Sequence, residues 1–172
     1  MKKPIRGKRG FTLVEILVVI FIISIVTSVA LFTVGRNTNK AIELFSNELV
    51  EIITLAEEEA MLQPLVLGMV FHERTITWVF LANAKDNRRN SWLPLNNSIL
   101  KTSRIPDDMD INLLINRERV ALTDEKNKGL PQIIISMNGE VTPFNIYIGK
   151  KGDKPHYLII GDSNGNITKQ AL

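Results

Sequence analysis

The sequence predicts an α+β protein, with one long N-terminal helix packed on a C-terminal antiparallel β head, a sheet or a sandwich. Three observations carry this. Residues 11–34 form a 24-residue run with a single charge, Glu15, and neither Gly nor Pro. Apolar residues then recur at steps of three and four, as in one buried helix face, until Pro64. The 109 residues that follow (172 − 63) hold short apolar segments separated by turn residues, enough for one compact β core. The expected divisions are 1–10, a leader; 11–34, a transmembrane helix; 35–63, its continuation; and 64–172, the β head.

The leader explains the charge. The chain has 21 Lys+Arg and 18 Asp+Glu, a net charge of +3. Lys2, Lys3, Arg6, Lys8 and Arg9 supply +5 within ten residues that contain no acid, so the remainder carries −2 (16 − 18). A basic excess confined to one end is a topology signal, and no nucleic-acid partner is expected from it. The absence of cysteine excludes disulfides, thiolate catalysis and sulfur-ligated zinc, and two histidines make an all-histidine metal cluster implausible.

The apolar run is long enough to span a bilayer, which takes about 20 residues as a helix. Its basic flank keeps the N-terminus cytoplasmic and sends the rest across. A secretory signal has an apolar region of only about 7–15 residues, and Ser28-Val29-Ala30 is a weak cleavage site. Glu15 is the anomaly. A carboxylate at membrane depth costs roughly 2.5–3.5 kcal/mol on insertion scales and usually has a partner and a function. The plainer alternative places it among the headgroups, in reach of water.

The junction Lys8-Arg9-Gly10-Phe11-Thr12-Leu13-Val14-Glu15 resembles the class III leader of type IV pilins and type II secretion pseudopilins. The resemblance implies that a membrane aspartyl prepilin peptidase cuts after Gly10 and that Phe11 is then N-methylated. It also implies an assembly role for Glu15. Gly10 lets an extended backbone enter a protease cleft closely. Cutting before the apolar run, not after it, retains the anchor. Glu15 can then pair with the new amine of a neighbouring subunit. That offsets desolvation and sets the axial register. Repeated heterologous contacts of this kind build helical polymers.

Residues 36–63 read as the amphipathic continuation. Ile42, Phe45, Leu49, Ile52, Ile53, Ala56 and Ala60 mark one face, while Glu43, Glu48, Glu51, Glu57, Glu58 and Glu59 read as a solvated opposite face. In the head, 65–71 and 75–81 read as a hairpin. Segments 99–105, 110–115, 132–137, 141–148, 156–160 and 166–169 read as further strands. Trp92-Leu93-Pro94-Leu95 reads as a patch that holds down a long polar loop. Asn138-Gly139 signals a hairpin turn. Residues 124–129, DEKNKG, read as a loop, and His72 and His156 as surface or edge residues.

Gly139-Glu140-Val141-Thr142-Pro143-Phe144, with Ile146 and Ile148 alternating after it, is similar to a segment of the pseudopilin H family. The Trp92 segment, followed by Ile99-Leu100, is similar to that family's Trp-centred stretch. Ser136-Met137-Asn138 departs from the family's approach to the turn. The resemblance implies a non-enzymatic minor pseudopilin, without cofactor or metal, at or near the tip of a secretion pseudopilus that exports folded proteins. The implied partners are other minor pseudopilins, the major pseudopilin, prepilin peptidase, inner-membrane lipid and secreted proteins. The implied location is the bacterial inner membrane, single-pass, with the head periplasmic. The alternative is a DNA-binding minor pilin of a type IV pilus. The C-terminal SNGNITKQAL, with one Lys and no Arg, weighs against it.

Three other patterns are weaker. Gly161-Asp162-Ser163-Asn164-Gly165 matches a hydrolase elbow, but no histidine follows Ser163, so it reads as a turn between the last two strands. Asp162, Asn164 and Asn166 alternate like a calcium loop but lack the late Glu. Arg88-Arg89, Arg117 with Arg119, and Lys150-Lys151 are too sparse for a phosphate-tracking patch and read as solvated loops.

Overall fold

The computed structural model describes residues 12–82, 91–122 and 130–172, and side chains within these except at 29–38. The chain divides into two compact units, Met1–Asn39 and Lys40–Leu172. Helix α1 runs Leu13–Leu62 and so contributes to both.

In the second unit the helix behaves as its periodicity predicts. Ile42, Leu49, Ile53, Ala56 and Ala60 are buried. Ser46 lies among them because its hydroxyl bonds back to the carbonyls of Ile42 at 2.5 Å and Glu43 at 3.1 Å, leaving no unmet polar group. The last turn closes through Leu65 N–H to the Ala60 carbonyl at 3.0 Å, and Pro64 bars continuation.

The β head has two antiparallel sheets. The first contains β1 (Leu67–Phe71), β2 (Thr75–Ala82), β3 (Ser91–Pro94), β4 (Ser103–Arg104) and β7 (Ile133–Ile135). Its order is β3-β2-β1-β7, with β4 also on β2. The second contains β5 (Met109–Ile115), β6 (Glu118–Arg119), β8 (Phe144–Lys150), β9 (Pro155–Gly161) and β10 (Ile167–Ala171), in the order β10-β9-β8-β5-β6. The inner helix face shares one apolar core with both sheets. Leu67, Met69, Ile76, Leu113, Ile133, Ile146 and Ile159 meet there. Burial on this scale, at roughly 25 cal/mol per Å² of apolar surface, is what holds the head together.

Four expectations need correction. The Trp92 segment is not an anchored loop but strand β3, with Phe80 opposite Leu93 and Leu81 opposite Trp92. Of 99–105 only Ser103–Arg104 is strand; Leu100 and Ile105 are buried as plugs instead. Strand β6 was not expected, because two residues are too short to show alternation. His72 is not on the surface but 7% exposed, with Nε2 3.0 Å from the Thr77 hydroxyl. The strand it follows, β1, is buried on both faces. On the second face Pro131 and Trp92 press on Gly68 so closely that an added Cβ would sit 2.6 Å from Pro131.

The Asn138-Gly139 turn forms as expected, with Gly139 at φ 84° and its N–H on the Ser136 carbonyl at 3.0 Å. Past the turn the pairing is brief. Ile135 bridges Val141, and the chain then crosses to the second sheet as β8. Residues 83–90 and 124–129, including Arg88-Arg89 and DEKNKG, lie outside the described residues.

Candidate functional site: the head of the helix

Gly10 and Phe11 lie outside the described residues; the site is described from Thr12. Thr12 caps the helix. The Glu15 N–H reaches its hydroxyl at 3.2 Å and its carbonyl at 3.1 Å. Thr12 and Glu15 thus hold the first and fourth positions of a capping box, Thr-x-x-Glu. Sequence reasoning passed over Thr12, although that spacing was legible. The cap fixes Glu15 in the first helical turn, where a carboxylate is favoured by the helix dipole. The Glu15 side chain is exposed and therefore available to a partner.

Behind Glu15 the helix presents apolar side chains in every direction. Leu13 is 81% exposed, Leu17 61% and Phe21 63%. Its polar residues make no demand on solvent. The hydroxyls of Ser24, Thr27 and Ser28 each donate at 2.8 Å to the carbonyl four residues earlier. Among the described residues no helix is long and apolar enough to cross a membrane; the described side chains of this run end at Ser28.

The competing patterns resolve differently. Ser163 is exposed on a turn between β9 and β10. His156 sits near the opposite end of β9, and His72 is buried in the other sheet, so neither histidine stands beside Ser163. Asp162 shapes that turn. Its Oδ1 accepts the N–H groups of Asn164 at 2.8 Å and Asn166 at 3.1 Å, and its Oδ2 accepts the Asn166 amide at 2.9 Å. The Asn166 side chain leads these bonds in holding the Asp162 carboxyl below the ordinary carboxylate range. Both oxygens therefore serve the turn. Arg117 and Lys150 fall at opposite ends of the β5–β8 ladder, where Ile115 pairs Phe144 and Met109 pairs Lys150, so these two basic groups form no single patch.

One feature of the head escaped sequence reasoning. Glu57 leans on the glycines of both late turns. A Cβ on Gly165, which has φ 86°, would collide with its carboxylate. Partial burial, then Glu58 and Asp162, push the Glu57 carboxyl above its ordinary value. The missing side chains of Gly139 and Gly165 allow this fit.

The capped helix and the two-sheet head make up a pilin-like fold. Residues 5–31 match the prokaryotic N-terminal methylation motif. The chain is similar to type II secretion system protein H. It is 27% identical to that protein of Pseudomonas aeruginosa over 95% of this chain and 96% of the relative. It is 29% identical to that of Escherichia coli K12 over 84% of this chain and 83% of the relative. In fold it matches the minor pseudopilin EpsH of the Vibrio cholerae type 2 secretion system, with a TM-score of 0.63 at 19% identity, covering 76% of this chain and 95% of that one.

Proposed function

We propose that this protein is a structural minor pseudopilin of a type II secretion pseudopilus. It joins other minor pseudopilins at or near the filament tip and supports export of folded proteins. The observation that carries the reading is similarity to H proteins along nearly the whole chain, combined with a methylation motif at its head. The mature protein begins at Phe11, methylated after cleavage behind Gly10. Residues 11–34 anchor it in the inner membrane, with the leader cytoplasmic and the head periplasmic. The self-satisfied hydroxyls of Ser24, Thr27 and Ser28 suit a medium without water. Glu15, capped in place and exposed, receives the N-terminal amine of a neighbouring subunit as the helix leaves lipid for the filament. The role is assembly, not catalysis.

Complementation tests the reading. A strain lacking this gene should fail to export its type II cargo and recover with the wild-type chain. Glu15→Ala should insert in the membrane normally yet recover weakly and pull down less of its partner pseudopilins. Full export without the gene would overturn the reading. Full recovery and undiminished pulldown with Glu15→Ala would remove the assembly role of that residue.

A further inference from the structure

We propose that the free edge of β10 takes a strand from a different pseudopilin, which becomes a sixth strand of the second sheet. The proposal rests on the reading above, which supplies the class of partner, and adds where and how the two meet.

β10 ends the second sheet and pairs with β9 alone. The Leu172 N–H reaches the His156 carbonyl at 2.9 Å, which fixes the alternation of the ladder. Thr168 and Gln170 therefore bond to Ile160 and Leu158, while the N–H and carbonyl groups of Ile167, Lys169 and Ala171 point outward. Those groups meet no partner among the described residues.

The other strand edges of the head are guarded. β3 ends in Pro94, which has no N–H, and β4 and β6 have two residues each. Beyond β7, the Thr142 N–H reaches the Ile134 carbonyl at 2.9 Å. β10 has no such guard. Its five residues include no proline, and its register is unbroken. Its one charge is turned inward. The Lys169 ammonium bonds the Asn47 side chain of α1 and lies 4.7 Å from the centre of the Tyr157 ring. Natural sheets blunt exposed edges, so an open one is a template for another strand.

Charge selects the occupant. With Glu57 against Gly165 and Asn47 on Lys169, β10 runs back along α1. Glu43, Asn47, Glu51, Thr54 and Glu58 follow one another at steps of four, four, three and four, so they line the flank of α1 on that side. The three glutamates are exposed, and none is in an ion pair among the described residues. A strand laid on β10 turns alternate side chains toward this flank. A second β10 would bring its own glutamates against these, and like charges repel. A basic strand of another subunit is attracted instead, and one open edge admits it once. Glu43 and Glu51 are about 12 Å apart at roughly 1.5 Å per residue, close to the span of four strand residues at about 3.3 Å each. The partner strand thus carries Lys or Arg four positions apart.

A photoreactive side chain at the exposed Gln170 reports the contact. The full-length chain carrying it is coexpressed in membranes with each tagged pseudopilin of the same secretion system in turn. A crosslink to one of the other pseudopilins is expected. Ala171→Pro removes an outward N–H and spares the β9 ladder, so it should lower the yield several-fold, whereas Ala171→Val should leave it unchanged. Glu43→Lys with Glu51→Lys should also lower it several-fold, and Glu48→Lys, off this flank, should not. Unchanged melting temperatures of the variants separate these losses from unfolding. No crosslink, a crosslink only to a second copy of this chain or to a secreted protein, or a yield indifferent to Ala171→Pro and to the glutamate pair would overturn the proposal. Export restored by the wild-type chain alongside any of those results leaves the pseudopilin reading standing.

Discussion

Residues 13–28 and 40–62 belong to one helix and treat their apolar side chains in opposite ways. Around Phe21 the apolar groups face outward in every direction, whereas Ile42, Ile53, Ala56 and Ala60 have no exposed surface. The second segment finds its apolar partner within the chain, because the β head supplies Leu67, Ile133 and Ile146 to cover one face. The first finds none among the described residues; under the proposed function its partner is lipid or other subunits. An isolated surface of that size would otherwise drive aggregation. Composition alone separates the two segments, since the second alternates leucine and isoleucine with glutamate and the first does not.

Substitutions break or sharpen that contrast. The largest expected effect is at Ile53, where truncation to Ala should cost the head about 2–5 kcal/mol in chemical unfolding, as a buried branched side chain does. Ile20→Ala, in the exposed segment, should leave the same unfolding curve unchanged. A matching loss at Ile20 would mean that the head covers both segments. Next comes Gly165→Ala, which forces a side chain onto left-handed backbone and against Glu57, with about 1–3 kcal/mol expected in the same measurement.

The smallest effect concerns pH. The folded head holds the Glu57 carboxyl above its ordinary value of 4.5, so the folded state binds the proton more tightly than the unfolded chain. That contribution is fully present below 4.5 and is lost as pH rises through the folded-state value. Glu57→Gln should therefore raise the melting temperature slightly at neutral pH and flatten its decline above pH 4.5, read from thermal melts across pH. Asp162 acts in the opposite sense. Its carboxyl is held low, so its contribution is present at neutral pH and fades as acid protonates it.

Much of this molecule was legible from residue spacing. The leader junction, the helix to Leu62, the β1–β2 hairpin and the turns at Gly139 and Gly165 all carry local signals. The missed parts depend on distant neighbours. β3 contains a proline and shows no alternation, and it becomes a strand by pairing with the edge of β2 opposite β1, at Val79–Ala82. His72 is buried beyond the end of β1, with its Nε2 3.0 Å from the Thr77 hydroxyl, which no local spacing marks. The Asn116-Arg117 turn was hidden because its second residue is not glycine. At the functional end the reverse holds. Gly10, Phe11 and Glu15 were named from their pattern, while Thr12, which fixes Glu15 in the first turn, was overlooked in that same pattern.

The central claim is that the leader is removed and the exposed helix retained as an anchor. The intact mass of the membrane-extracted protein tests it most directly. The account predicts a chain that begins at Phe11, heavier by one methyl group, and an uncut precursor for Gly10→Val. A wild-type mass that still includes residues 1–10, or a cut beyond Ser28, would contradict it.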